Sequence, residues 1–134
     1  MEDKLLYKDL TYIVRGILFE THNELGRMLK EKQYCDLIEV KLKERKIRHL
    51  RESVLPPSFE GEHKGRNRVD FIIEGKKILE IKTVSFLSKN DYWQCQRYLS
   101  STNLELLLLV NFRSKFLTVK RLLNHELYNK NKIN

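Results

Sequence analysis

Two short apolar runs, Val69–Ile73 and Ile78–Ile81, flank the polar tripeptide Glu74-Gly75-Lys76. That pattern predicts a β-hairpin in which Gly75 is free to take positive φ. Asp70, Glu80 and Lys82 lie within or beside the runs. A charged side chain on a half-buried strand is costly unless it is paired or holds something, so the hairpin constrains the chemistry as well as the fold.

Side chains alternate faces along a strand, which puts Glu80 and Lys82 on the same side. A loop of three or five residues centred on Gly75 sets Asp70 opposite Glu80 on that side. A two-residue loop shifts the register by one and turns Asp70 to the other face. Opposed carboxylates repel unless a cation lies between them, and Mg²⁺ takes oxygen ligands of this kind together with waters and substrate phosphate.

Around the hairpin the periodicities alternate between helix and strand. Leu6, Leu10, Ile13, Ile17 and Leu18 recur at helical spacing, predicting an amphipathic helix over residues 5–25 that Asp3 caps and Gly26 ends. His22 and Glu24 fall in its last turn. A second helix is expected from Leu29 to Lys46, with Tyr34, Leu37, Ile38 and Leu42 buried and Glu31 near its positive N-terminal end. Lys43–Arg51 is basic, Arg48 and Arg51 included, and reads either as a solvated helix end or as a phosphate contact. Pro56-Pro57 interrupts two strand pieces, Ser53–Leu55 and Ser58–Glu60.

Ser88 or Asn90 can cap a third helix through Ser100, on which Gln94 and Tyr98 share a face while Trp93 and Leu99 pack. Leu106–Val110 reads as a strand covered on both faces, Phe116–Val119 as a further strand, and the chain from about residue 124 as a frayed polar tail. The order is α-α-β-β-β-α-β-β: one α/β domain over residues 1–134, a mixed sheet flanked by helices with the hairpin near its centre.

With 26 Lys and Arg against 18 Asp and Glu, the formal charge is +8, which favours an anionic partner, nucleic acid being the commonest. Cys35 and Cys95 lack the spacing of a zinc site and read as reduced core thiols. No apolar stretch approaches the ~20 residues of a membrane span, and the N-terminus lacks a signal-peptide pattern, so a cytoplasmic protein is expected.

Asp70, nine intervening residues and Glu80-x-Lys82, on a hairpin followed by a helix, resemble the core of the PD-(D/E)XK nuclease superfamily. Phe19-Glu20-Thr21-His22-Asn23-Glu24-Leu25-Gly26, followed by Glu31-x-x-Tyr34, is similar to its small bacterial GxxExxY branch. Gln94-x-x-x-Tyr98 resembles an element of the exonuclease-like members, and Leu108-Leu109-Val110-Asn111-Phe112 the branch's next strand. Three positions depart from the pattern: Met28 stands where the branch has glycine, Val69 where the motif has proline, and Asp91 where histidine is expected.

The resemblance implies a restriction-endonuclease-like core and a metal-dependent nuclease, with DNA favoured over RNA. It implies that Asp70, Glu80, the carbonyl of Ile81 and Glu31 hold Mg²⁺, or Mn²⁺ in its place. Lys82 would orient or deprotonate the attacking water, or stabilise charge on the phosphate; desolvation would lower its pKa and the carboxylates raise it. Gln94 and Tyr98 would contact the backbone or brace the ligands, with Tyr34, His22, Arg48 and Arg51 in support. Small nucleases of this sort often grip a duplex with a second subunit or a protein partner. Two other readings stand beside this one: a basic nucleic-acid-binding or partner-recruiting module that keeps the fold without catalysis, and an internal ion-pair cluster of Asp70, Glu80 and Lys82.

Overall fold

The structure, a computed structural model, describes residues 2–125 and 127, with side chains from residue 9 onward. Helices α1 (Glu2–Leu25) and α2 (Glu31–Glu44) precede strands β1 (His49–Val54), β2 (Arg68–Ile73) and β3 (Lys77–Lys82); α3 (Lys89–Ser100), β4 (Leu106–Asn111) and β5 (Val119–Leu123) follow. The element order is the expected one. The strands form one sheet in the order β1-β2-β3-β4-β5, with β3 and β4 parallel and the other neighbours antiparallel. Among the described residues no helix is long and apolar enough to cross a membrane.

Alternation divides the core into two layers. Phe71, Ile73, Leu79, Ile81, Leu108 and Val110 pack beneath α1 and α2, while Ile78, Leu107, Leu109 and Leu122 pack against Cys95, Tyr98 and Leu99 of α3. Each buried Leu, Ile or Phe contributes about 1.5–3 kcal/mol, and together they offset the cost of charges in the same strands. All six residues of β4 are buried, as its continuous apolar run requires. Both cysteines are free and buried.

Local signals set the element ends. Gly26, at φ 74°, closes α1 by donating its N–H to the His22 carbonyl. The expected Asp3 cap falls on a side chain outside the described ones. Ser88 caps α3, its hydroxyl accepting the Asp91 N–H while the Asp91 carboxylate accepts the Ser88 N–H at 2.8 Å. The hairpin loop has three residues, with Glu74 (φ 53°) and Gly75 (φ 63°) both left-handed. Glu74 tolerates this because its N–H donates to the Arg48 carbonyl and its carboxylate accepts the Arg48 N–H at 2.7 Å.

Five expectations need correction. The second helix stops at Glu44, and His49–Arg51 of the basic run belong to β1. Ser58–Glu60 forms no strand, because Pro56-Pro57 removes two ladder donors and the chain leaves the sheet. The last strand starts at Val119 rather than Phe116, whose ring is exposed. Trp93 lies 59% exposed instead of packing. Asn124, expected to open the tail, is buried and donates to the carbonyls of Leu99 and Leu104; residues 128–134 lie outside the described ones.

Candidate active site

The sheet opens at Asp70. Between β2 and β3 the ladder runs from Ile73↔Lys77 to Phe71↔Leu79, a register that continues to set Asp70 across from Glu80. There the strands are joined by side chains instead: the Asp70 N–H donates to Glu80 Oε1 at 2.8 Å, and the Ile81 N–H donates to Asp70 Oδ2 at 2.7 Å. On the other side, β1 pairs with β2 at Arg51↔Phe71 and Ser53↔Val69 but skips the pair between them. The skipped residue, Glu52, has φ 51°, a conformation costing a non-glycine residue about 1 kcal/mol or more.

Glu31, at the first position of α2, lies near enough to this opening for its charge to be felt by Asp70 and Lys82. Tyr34 positions the helix start: its hydroxyl donates to the Gly26 carbonyl at 2.7 Å and accepts the Leu29 N–H at 3.3 Å. Its ring stacks on Phe112 with centroids 4.3 Å apart. Met28 has no positive φ, so the turn does not need glycine there.

From α3, Gln94 Oε1 accepts a 3.0 Å hydrogen bond from Lys82 Nζ, and Asp91 Oδ1 lies 4.0 Å from the same ammonium. Tyr98 lies in the α3 core with its ring buried. Asn111, opposite Lys82 in the parallel ladder, accepts the Val84 N–H at 3.0 Å and donates to the Val84 carbonyl at 2.7 Å, fixing the chain as it leaves β3. Only its place in the family-like strand singles it out in the sequence; a buried amide ending an apolar run is the physical signal.

Burial pushes all three carboxyls up, and repulsion by Asp70 adds to it at Glu80 and Glu31. Glu80 rises to about 8, from desolvation and then the Asp70 charge, against the Asp70 N–H and Lys82. Glu31 rises to about 7, again from desolvation and then Asp70, against Lys82. Desolvation raises Asp70 too, opposed by the Ile81 N–H and Lys82. Desolvation followed by the Glu80 charge pushes the Tyr98 hydroxyl up to about 12 and the Cys95 thiol likewise to about 12. Cys35 is raised by burial and then by Asp70. Neither cysteine is a thiolate nucleophile in these surroundings.

Other residues singled out in the sequence lie apart from the carboxylates. His22 Nε2 is 2.9 Å from the Ser114 carbonyl and ties the end of α1 to the β4–β5 connection. Arg48 pairs with Glu74 at the hairpin turn, the far end of β2 from Asp70. Arg51 bridges β1 to α2 through Asp36, at 2.7 Å, and Glu39, at 3.4 Å, while its charge still reaches Asp70.

A family model of the PD-(D/E)XK nuclease superfamily matches residues 8–122. The chain belongs to that superfamily. No match is found among curated proteins or among solved structures. In PD-(D/E)XK nucleases the substrate is nucleic acid and the usual cation is Mg²⁺. The mixed five-stranded sheet between helices is the restriction-endonuclease-like fold of the superfamily.

The donor set of this PD-(D/E)XK domain fits a hard divalent cation: all donors are oxygens, and three carboxyls face the single ammonium of Lys82. Among the described residues no three acidic, His or Cys side chains already stand gathered as a metal cluster.

Proposed function

We propose that this PD-(D/E)XK protein is a metal-dependent nuclease of the small GxxExxY branch, hydrolysing phosphodiester bonds in DNA. The observation that carries the reading is the convergence of Asp70, Glu80, Glu31 and Lys82 where the sheet opens. Asp70, Glu80, Glu31 and the Ile81 carbonyl are the groups that would hold Mg²⁺ or Mn²⁺. The bound ion supplies charge neutralisation at the phosphate and acidifies a water for in-line attack.

The remaining roles fall to the chain itself. Lys82, held toward α3 by Gln94, orients the attacking water or meets charge developing on the phosphate. Tyr34 keeps Glu31 at the opening by fixing the turn before it. Tyr98 packs in the apolar layer beneath α3. Incubation with linear, circular and single-stranded DNA, with Mg²⁺, Mn²⁺ or chelator, tests the reading. Metal-dependent cleavage that disappears in Asp70→Asn supports it, and its absence on every substrate with either metal rejects it.

One observation favours a second reading, a nucleic-acid-binding module without catalysis: the Asp70 and Glu80 carboxylates are already engaged by strand amides. Salt-sensitive binding to DNA with no cleavage in Mg²⁺ or Mn²⁺ is its signature.

A further inference from the structure

The two ends of the sheet are built differently. The pairings Val54↔Arg68, Lys82↔Asn111 and Val110↔Val119 bring three connections to one end, beside the carboxylates: residues 55–67, 83–88 and 112–118. The turn between α1 and α2 is tied to the same end, since Arg113 Nε donates to the Arg27 carbonyl at 2.9 Å. Each of the three connections holds an aromatic ring out in solvent: Phe59 is 64% exposed, Phe86 87% and Phe116 78%. The opposite connections, residues 45–48, 74–76 and 101–105, contain no aromatic residue.

Core packing does not account for these rings, because both faces of the sheet are covered without them. The connection around Phe116 is basic, whereas those holding Phe59 and Phe86 carry no net charge. Lys64, Arg66, Arg113 and Lys115 share the connections with two acids, Glu60 and Glu62, and Glu62 is folded back on the Ser58 N–H at 2.7 Å. Lys115 Nζ lies 5.5 Å from the centroid of the Phe116 ring. Next to the Phe59 connection, Ser58, Trp93, Gln96 and Arg97 line an open groove of about 430 Å³ along α3. A protein interface has a contiguous apolar centre depleted of charge. Separate rings, one of them beside a cation, instead match a strand whose bases stack one by one while its phosphates meet Lys and Arg.

We propose that this rim takes unpaired nucleotides, so that the candidate nuclease engages a single strand or an unpaired overhang rather than the interior of a duplex. The inference rests on the nuclease reading of the neighbouring carboxylates and assigns the substrate class of that site. Rings on separate connections can stack only on bases whose faces are free, and a base inside a duplex has both faces covered. Phe86, which follows Lys82 by four residues, is the ring tied most directly to the site.

The test is a binding titration of the full chain in chelator, where cleavage cannot intervene. The probes are a single-stranded DNA, a blunt duplex and a duplex with an overhang, at one salt concentration. Single strand and overhang should bind at least about tenfold more tightly than blunt duplex, and the single strand should quench the emission of Trp93, the only tryptophan. Phe86→Ala and Phe116→Ala should each weaken single-strand binding at least about fivefold, with Phe86→Tyr near the parent. Equal binding of blunt duplex, unchanged affinity in both alanine variants, or alanine variants that lose only self-association in sedimentation would each overturn the inference. Asp70-dependent cleavage in which the rings play no part would overturn it while leaving the nuclease reading intact. Ring-dependent binding without cleavage in Mg²⁺ or Mn²⁺ would do the reverse.

Discussion

Asp70 and Glu80 face each other across the opening of the sheet, and each is bonded to the other's strand. The Asp70 N–H donates to the Glu80 carboxylate at 2.8 Å, while the Asp70 carboxylate accepts the Ile81 N–H at 2.7 Å. Two repelling groups thus serve as the local substitute for ladder hydrogen bonds. Their removal has opposite consequences for charge and for hydrogen bonding.

Asp70→Asn keeps an oxygen for the Ile81 N–H and removes the repulsion, so without metal it should match or exceed the parent in stability at neutral pH. Asp70→Ala leaves that N–H without its partner and should be less stable than Asp70→Asn by about 1–3 kcal/mol. Both should abolish cleavage. Urea unfolding in chelator checks the ranking, and an Asp70→Asn variant several kcal/mol below the parent would point instead to an ion pair between Asp70 and Lys82.

The raised carboxyls give the metal-free protein an inverted pH dependence. A carboxyl whose pKa is higher folded than unfolded contributes stability present in full below its ordinary value of 4.5 and lost as pH rises through about 7 for Glu31 and about 8 for Glu80. These two groups should make unfolding in chelator easier at pH 8 than at pH 5, by on the order of a few kcal/mol, and Mg²⁺ should restore much of the difference. Lys77, lowered to about 8 chiefly by burial, acts in the other direction above that pH, where deprotonation relieves the folded state. Glu80→Gln should flatten the slope between pH 5 and 8.

Tyr34→Phe preserves the stack on Phe112 and deletes two hydrogen bonds to the turn before Glu31. The expected cost is about 1–2 kcal/mol in unfolding free energy. Because the turn places Glu31, apparent Mg²⁺ affinity in a thermal-shift titration should fall as well. A variant that loses stability but binds Mg²⁺ like the parent would separate Tyr34 from the site.

The arginines read from the basic run divide by position. Arg51 is largely buried between β1 and α2, so Arg51→Ala should cost about 1 kcal/mol or more, whereas the exposed pair of Arg48 with Glu74 should contribute ~0.5 kcal/mol or less. In DNA binding, Arg113→Ala, at the carboxylate end of the sheet, should reduce the salt slope by about one counterion and Arg48→Ala should not. A slope that changes with Arg48 alone would place the DNA path at the hairpin-turn end.

The hairpin was legible in the sequence because it is local, whereas its loop length stayed open between an odd and a two-residue turn until the pairing Ile73↔Lys77 decided it. Alternation assigns the faces, and the three-residue loop at Gly75 leaves Asp70 opposite Glu80. The Ser88 cap and the doubly covered β4 were readable for the same reason: a capping residue or an apolar run acts within one element. Glu31, Tyr34 and Gln94 were reachable only through their likeness to a family pattern, since nothing in the spacing of distant helices says which strand they approach. What the tertiary structure alone decided is the state of the site. The skipped pair at Glu52, the capture of Arg51 by Asp36, the bond of Lys82 to Gln94 and the exposure of Trp93 all depend on segments far apart in the chain. So do the raised carboxyl pKa values, because desolvation and repulsion arise when packing takes water away from groups that the sequence places in separate elements.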